Sequence, residues 1–118
     1  MEANEFYATL HTFTGTENYY AHPSGMRYTD GVKYLADTTG AYWLLDVIAL
    51  WQTKALRDSA LREFQLWELH VKDGAATVVC SRDSEDVAFR VSVSFTDFSQ
   101  PYVKLYVEGG VILLPSEH

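Results

Sequence analysis

The sequence has a single cysteine, Cys80, so no disulfide can form within the chain. It also lacks a long apolar run: the longest, residues 41–51, is interrupted by Asp46 and is about half of the roughly 20 residues that span a bilayer. No apolar stretch of signal-peptide length precedes the first polar residues. We therefore expect a cytoplasmic protein in a reducing compartment that does not cross a membrane.

Basic residues are few. Nine Lys and Arg stand against sixteen Asp and Glu, which gives a formal net charge of −7. A negative surface repels the phosphate backbone, and this argues against direct binding to nucleic acid. If the charge contributes to binding, it favours a partner protein with a basic surface. The alternative is that it only keeps the protein soluble.

The length and apolar content fit one folded unit. A chain of 118 residues, of which 47% are hydrophobic, is large enough for one core and too small for two, so we predict a single domain over 1–118. Aromatic residues are abundant, with eight Tyr, six Phe and three Trp. Such residues stabilise small cores and also occur at binding surfaces.

The spacing of apolar residues predicts about three helices in the first half. Residues 4–13 and 31–37 each place apolar side chains on one face, with Gly15 and Gly40 as stop signals. Residues 41–51 are apolar almost all round, which is typical of a helix at the centre of a core. A short helical turn is expected at 59–64.

After Phe64 the apolar period changes from 3.6 to 2, which predicts strands. The clearest strand alternates Val87, Phe89, Val91, Val93 and Phe95 with polar residues, so we expect these five on one buried face. Further strands are predicted near 67–71, 77–81, 103–107 and 111–114. The predicted fold is α+β, with the N-terminal helices packed on one face of a four- to five-stranded antiparallel meander sheet.

No catalytic or metal-binding motif is present. The four histidines are not at metal-ligand spacing, and no Gly-x-Ser-x-Gly elbow occurs, so we predict a non-enzymatic protein without metal or cofactor. Cys80 lies in an apolar run typical of a buried structural cysteine. Asp46 is unusual in an apolar helix: it either has a perturbed pKa or faces a solvated strip.

Residues 14–29 form a loop rich in tyrosine and are the main candidate for a binding site, because loops on a rigid scaffold often carry function. The candidate residues here are Tyr19, Tyr20, His22, Arg27, Tyr28 and Asp30. The alternative is that the tyrosines fold back to cover the sheet and the third helix.

Two further candidate surfaces lie in the second half. Tyr102 and Tyr106 alternate onto the polar face of the sheet, which is either a contact surface or an ordinary solvated face. The predicted hairpin tip carries Asp83, Glu85 and Asp86, which lack the spaced oxygen ligands of a calcium loop but form an acidic knob for a basic partner.

Four strings of the sequence resemble one known family: FTGTENYY at 13–20, YTDGVKYL at 28–35, AYWLLD at 41–46 and FQLW at 64–67. The family consists of small bacterial, phage and plasmid proteins with a domain-of-unknown-function label, and the resemblance extends from Leu10 to Ser116. It implies a mobile-element setting but supplies no activity, cofactor or catalytic residue.

The resulting hypothesis is a protein-binding module that inhibits a host nucleic-acid-targeting defence complex, such as a CRISPR effector, through an acidic surface. One alternative is an assembly protein that associates through an exposed edge strand at 111–114, with a second copy of itself as a homodimer or with a partner strand. The other is a small enzyme or ligand-binding domain with a pocket between the sheet and the tyrosine-rich loop, using Asp46, Tyr20 or His22.

Overall fold

The computed structural model describes residues 3–118 and has an α+β fold. The helices are α1 Ala3–Leu10, α2 Asp30–Thr39, α3 Tyr42–Leu50, α4 Gln52–Ala55 and α5 Ser59–Glu63, with a 3₁₀ turn at Pro115–Glu117. The strands are β1 Tyr19–Ala21, β2 Arg27–Thr29, β3 Gln65–Lys72, β4 Ala75–Asp83, β5 Asp86–Val93, β6 Tyr102–Glu108 and β7 Val111–Leu113. The predicted α+β class is confirmed, and five of the seven strands follow Phe64, but β1 and β2 precede it.

Local sequence explains the limits of α2. The Thr29 hydroxyl accepts a hydrogen bond from the Val32 N–H and caps the first turn, while Gly40, in the left-handed region at φ 74°, donates its N–H to the Ala36 carbonyl and ends the helix. Helix α3 follows and buries Leu44, Leu45 and Ile48 in the core. Its one acidic residue, Asp46, faces solvent with 71% of its side chain exposed.

The sheet is larger than predicted and mixed. Its seven strands have the order β1-β2-β7-β6-β3-β4-β5, and β2 pairs in parallel with β7 while the other neighbours are antiparallel. The expected meander of four to five antiparallel strands is therefore wrong in two respects. Strands β1 and β2 come from the tyrosine-rich segment, where three residues are too short to show a period, and β6 returns to pair with β3 rather than β5.

The assignment of 111–114 as an edge strand is also wrong. Strand β7 lies inside the sheet, between β6 and β2. The edges are β1, with three residues, and β5, with eight. An interior position satisfies the main-chain groups of β7 on both sides, which removes it as a site for strand addition.

One face of the sheet contributes to the core. Trp67, Leu69, Val78, Cys80 and Leu105 are buried there, in one apolar cluster with residues of α1, α2, α3 and α5. The opposite side of the sheet, which we call the outer face, carries the alternating residues of each strand and is mainly polar.

The prediction for the strand at 87–95 holds only for its centre. Phe89, Val91 and Val93 are partly buried against the core, but Val87 is 38% exposed and Phe95 is 77% exposed. Register shifts near the end of β4 place Val87 opposite Ser81, which changes its face. Phe95 lies beyond the end of β5 at Val93, where strand alternation no longer determines its direction.

Candidate functional site

The tyrosine-rich segment is held in place by the carboxylate of Asp30, the first residue of α2. One oxygen accepts the N–H groups of Glu17 at 3.2 Å and Asn18 at 3.1 Å, and the other accepts the Tyr20 hydroxyl at 3.0 Å. Partial desolvation would by itself raise the pKa of Asp30, but the hydrogen bonds from Asn18, Tyr20 and Glu17 outweigh it and hold the pKa below its ordinary value.

Three tyrosine rings line up beside this anchor. The rings of Tyr20 and Tyr28 stack with centroids 5.6 Å apart, and Tyr42 of α3 meets Tyr28 edge-on at 6.4 Å. The Tyr42 hydroxyl donates to Asp37, and this hydrogen bond raises the pKa of Tyr42 to about 12. Tyr28 therefore contacts helix α3 directly and Tyr20 stacks on Tyr28, whereas Tyr19 is 54% exposed.

A lysine of the chain itself, Lys33, lies beside these tyrosines. The Lys33 ammonium lies 2.6 Å from the Asp37 carboxylate and 5.5 Å from the centroid of the Tyr20 ring. The ion pair with Asp37 raises the pKa of Lys33 and lowers the pKa of Asp37. An aromatic ring next to a carboxylate thus holds a cation here, within the chain itself.

His22 joins the β1–β2 turn to helix α3. The Ser24 N–H donates to Nδ1 at 3.0 Å, so the ring proton is on Nε2, which donates to Asp46 at 2.8 Å. The Ser24 hydroxyl also lies 2.8 Å from Nδ1. An Asp-His-Ser array can serve acyl transfer. In this chain the nitrogen that would act as base already accepts a main-chain N–H, so the array acts as a clamp.

These contacts define one continuous surface, which we call the tyrosine–carboxylate surface. It consists of Glu17, Tyr20, Tyr28, Asp30, Lys33, Asp37, Tyr42 and Asp46. Four carboxylates share it with one lysine. Beside it, a groove of about 820 Å³ runs between residues 12–18 and helix α2, and Phe13 and Tyr34 form part of its apolar lining.

The acidic hairpin tip is partly neutralised. Arg82 pairs with Asp86 at 3.0 Å and with Asp58 at 2.7 Å, and Asp83 accepts the main-chain N–H of Glu85. The guanidinium of Arg82 holds the pKa of Asp58 below its usual range. Of the predicted tip residues, Asp83 and Glu85 carry their charge without an ion pair in the described chain.

The remaining predicted residues lie on the outer face, away from the tyrosine–carboxylate surface. Alternation along β1 and β2 separates Tyr19 and Arg27 from Tyr20 and Tyr28, and the Arg27 guanidinium lies 5.8 Å from the Tyr19 ring centroid. Tyr102 also lies on the outer face, and burial followed by a hydrogen bond to Glu68 raises its pKa.

Tyr106 completes this set, with its ring 4.8 Å from that of Phe64. The structure therefore brings together Tyr20, His22, Tyr28 and Asp30 and separates the other predicted residues from them.

Sequence reasoning missed four members of the surface: Glu17, Lys33, Asp37 and Tyr42. The spacing of Lys33 and Asp37, four residues apart on one helix, is the signal that could have identified their ion pair. Tyr42 gave no such signal, because its contacts with Tyr28 and Asp37 depend on how α3 packs beside α2.

The one thiol, Cys80, is in an environment that disfavours its reactive form. Cys80 is buried, and burial raises its pKa to about 12, so the reactive thiolate is scarce at neutral pH. Across residues 3–118, no group of three or more His, Cys, Asp and Glu side chains is arranged to hold a metal ion. None of the helices in this range is both long and apolar enough to cross a membrane.

Residues 4–118 match the model of a Family of unknown function (DUF6876). The chain belongs to this family. The match includes every residue of the tyrosine–carboxylate surface and all seven strands of the DUF6876 sheet. No curated protein and no solved structure matches the chain.

Proposed function

We propose that this DUF6876 chain is a non-enzymatic protein-binding module of a phage or plasmid, and that its tyrosine–carboxylate surface binds a basic host protein. The proposed partner is a nucleic-acid-targeting defence complex, such as a CRISPR effector, whose groove is rich in lysine and arginine. The mobile-element origin rests on the family resemblance. The observation that carries the proposal is that Lys33 is held between the Asp37 carboxylate and the Tyr20 ring, with the Tyr28 and Tyr42 rings beside it.

The chemistry of this surface suits cationic side chains. Tyrosine rings attract ammonium and guanidinium groups by cation–π interaction, worth about 0.5–1 kcal/mol at an exposed site. Carboxylates add charge-assisted hydrogen bonds. Asp46 is well suited to this role, because 71% of its side chain is exposed and one of its oxygens remains available beside the His22 contact. Lys33 illustrates the geometry that a partner lysine would adopt.

Two matched variants test which acidic surface binds. The surface variant combines Glu17→Gln, Asp37→Asn and Asp46→Asn. The tip variant combines Asp83→Asn, Glu85→Gln and Asp86→Asn. Each removes three negative charges, so a general effect of net charge is the same in both, and Asp30 is left intact because it holds the loop.

Affinity purification from host lysate at about 50 mM and 500 mM salt identifies the partner, and association kinetics with the purified partner follow. We expect the surface variant to lower the association rate at least about tenfold at low salt, because electrostatic steering depends on local charge. The tip variant should differ from the parent by less than about twofold. An equal decrease of the association rate in both variants, or binding that does not change with salt concentration, would refute the role assigned to this surface.

Competition tests the class of partner. If the protein occupies a nucleic-acid groove, then the partner's own DNA or RNA should displace it, and the partner should lose nucleic-acid binding when the protein is present. Simultaneous binding of protein and nucleic acid to the same partner molecule would exclude inhibition by occupation of the groove.

A second candidate function is assembly through β5. This strand forms an edge of the sheet over eight residues, and the exposed side chains of Val87 and Phe95 flank it at either end. An edge of this length is a template for pairing with a strand of a second copy or of another protein. Sedimentation at micromolar concentration tests the homodimer, which Val87→Lys with Phe95→Lys should abolish. A parent protein that sediments as a monomer rules it out.

A further inference from the structure

The outer face has a regular layout across the four strands β6, β3, β4 and β5. Opposed residues of neighbouring strands lie side by side on one face. One row across the sheet consists of Lys104, Glu68, Val79 and Arg90, and the next consists of Tyr102, His70, Thr77 and Ser92. With strands about 4.8 Å apart, the Cα atoms of Lys104 and Arg90 are roughly 14 Å apart.

The charge of these rows, together with Lys72, which follows His70 on the same face of β3, is opposite to that of the whole chain. Lys72, Arg90 and Lys104 contribute three cations, and within residues 3–118 none of them forms an ion pair. The one carboxylate between them, Glu68, is only 22% exposed and accepts the Tyr102 hydroxyl at 2.5 Å. The net charge of −7 therefore does not describe this part of the surface.

Aromatic rings alternate with these cations. Tyr102 and His70 lie on neighbouring central strands with ring centroids 5.0 Å apart. Tyr106, two residues after Lys104 on the same face, contacts Phe64. Both tyrosines are half-buried and His70 is exposed, so each ring retains surface that a ligand can reach. Apolar Val79 is buried beneath the longer side chains around it.

We propose that this basic sheet face binds single-stranded nucleic acid. We define it as Lys72, Arg90, Lys104, His70, Tyr102 and Tyr106. The rings of Tyr102 and Tyr106 would stack with unpaired bases, and the three cations would contact the phosphates between them. A broad sheet face is too wide to enter the groove of a duplex. The unpaired bases of a single strand can lie flat on such a face, so we expect single-stranded rather than double-stranded nucleic acid as the ligand.

This inference goes beyond the proposed protein-binding function and reverses the expectation from net charge. Charges farther away than the Debye length, about 10 Å at 0.1 M salt, are largely screened, so the local cations govern a ligand on this face. All four carboxylates of the tyrosine–carboxylate surface belong to the segment 17–46, on other elements than the four strands of the face. Glu108, which follows Tyr106 on β6, is paired with His118 at 2.7 Å.

The probe is a fluorescent single strand of about 12 nucleotides, as uridine RNA and as thymidine DNA, followed by anisotropy. With three phosphate contacts, the logarithm of the binding constant should fall with the logarithm of salt concentration with a slope of about −2. Replacing two cations, Arg90→Gln with Lys104→Gln, should reduce that slope by about 1.4. It should also weaken binding about tenfold at 50 mM salt. Lys54→Gln with Arg57→Gln removes the same charge elsewhere and should have little effect.

Stacking is tested separately by Tyr106→Leu, with a melting curve to confirm folding. It should weaken binding about tenfold without changing the salt slope, because a stacked base contributes about 1–3 kcal/mol. No binding with about 100 µM protein at 50 mM salt would overturn the proposal, since even non-specific binding is usually stronger. So would equal losses in the two charge variants, or displacement of the strand by polyglutamate as readily as by unlabelled strand.

The surface variant Glu17→Gln, Asp37→Asn and Asp46→Asn should bind the strand at least as well as the parent. A protein that does not bind the single strand could therefore still have the proposed protein-binding function. Conversely, the absence of a protein partner would not change the result expected with the single strand.

Discussion

The Glu117 carboxylate accepts hydrogen bonds that connect the C-terminal segment to the start of α2. Gly31 lies against this carboxylate, so a side chain added at Gly31 would displace it. One Glu117 oxygen accepts the Thr29 hydroxyl at 2.6 Å and the Leu114 N–H at 3.0 Å. The other accepts the Gly31 N–H and the Thr16 hydroxyl, each at 3.2 Å. A Cβ atom at Gly31 would lie 2.6 Å from a Glu117 oxygen and 2.5 Å from Leu114 Cδ1. We predict that Gly31→Ala destabilises the protein mainly by displacing this carboxylate.

The magnitude follows from the four hydrogen bonds. Each bond to a charged group contributes about 1.5–3 kcal/mol when buried, and Glu117 is partly exposed, so Glu117→Ala should lower the free energy of unfolding by about 3 kcal/mol in total. Gly31→Ala should cost about 2 kcal/mol, from overpacking and lost hydrogen bonds. If Gly31→Ala acts through Glu117, the double variant should cost about 3–4 kcal/mol rather than the sum of the two.

Urea unfolding of the parent, both single variants and the double variant measures this coupling. Gly15→Ala is the matched control, because a Cβ atom there meets no heavy atom within 4 Å, and it should be neutral or slightly stabilising. If the two single costs add to within about 0.5 kcal/mol in the double variant, the reasoning is wrong and the two residues act independently.

Two further predictions concern titration and reactivity. The pKa values of Asp30 and Asp58 are depressed in the fold, so each stabilises the folded state above the ordinary aspartate value of about 3.9, and this stabilisation is lost as pH falls through the lower folded pKa. The Asp30→Asn and Asp58→Asn variants should thus have a lower midpoint of thermal unfolding than the parent at pH 7, and this difference in midpoint should vanish in acid. A difference that persists at pH 2 would contradict this prediction. Cys80 should not react with a thiol reagent in the native protein at pH 8 and should react after unfolding, because burial raises its pKa to about 12; rapid native reaction would contradict its burial.

Part of the candidate site could be anticipated from the chain alone. Tyr20, His22, Tyr28 and Asp30 lie within eleven residues of sequence, in the β1–β2 hairpin and the first residue of α2, so their proximity needed no long-range information. The opposite faces of Tyr19 and Tyr20 would also have followed from strand alternation, had β1 been recognised. Three-residue strands give too little periodic signal for that, and they form here because the β2–β7 pairing holds them.

Other members of the site required the packing of α3 beside α2. Asp46 stood out in the sequence as a carboxylate in an apolar helix, but its contact with His22, 24 residues away, depends on how the two segments meet. The acidic tip was visible as a cluster, and its partial neutralisation was not, because Asp58 and Arg82 pair across 24 residues of chain.

The sequence by itself determined the α+β class of this protein, the five strands after Phe64, a buried thiol and an excess of acidic residues, because these depend on local period and composition. Only the tertiary structure decided which strands lie at the edges, which tyrosines share a surface, and that Lys72, Arg90 and Lys104 lie on one face of the sheet in an acidic protein. Those properties depend on pairing between distant segments, and the charge or period of any one segment does not specify its partner.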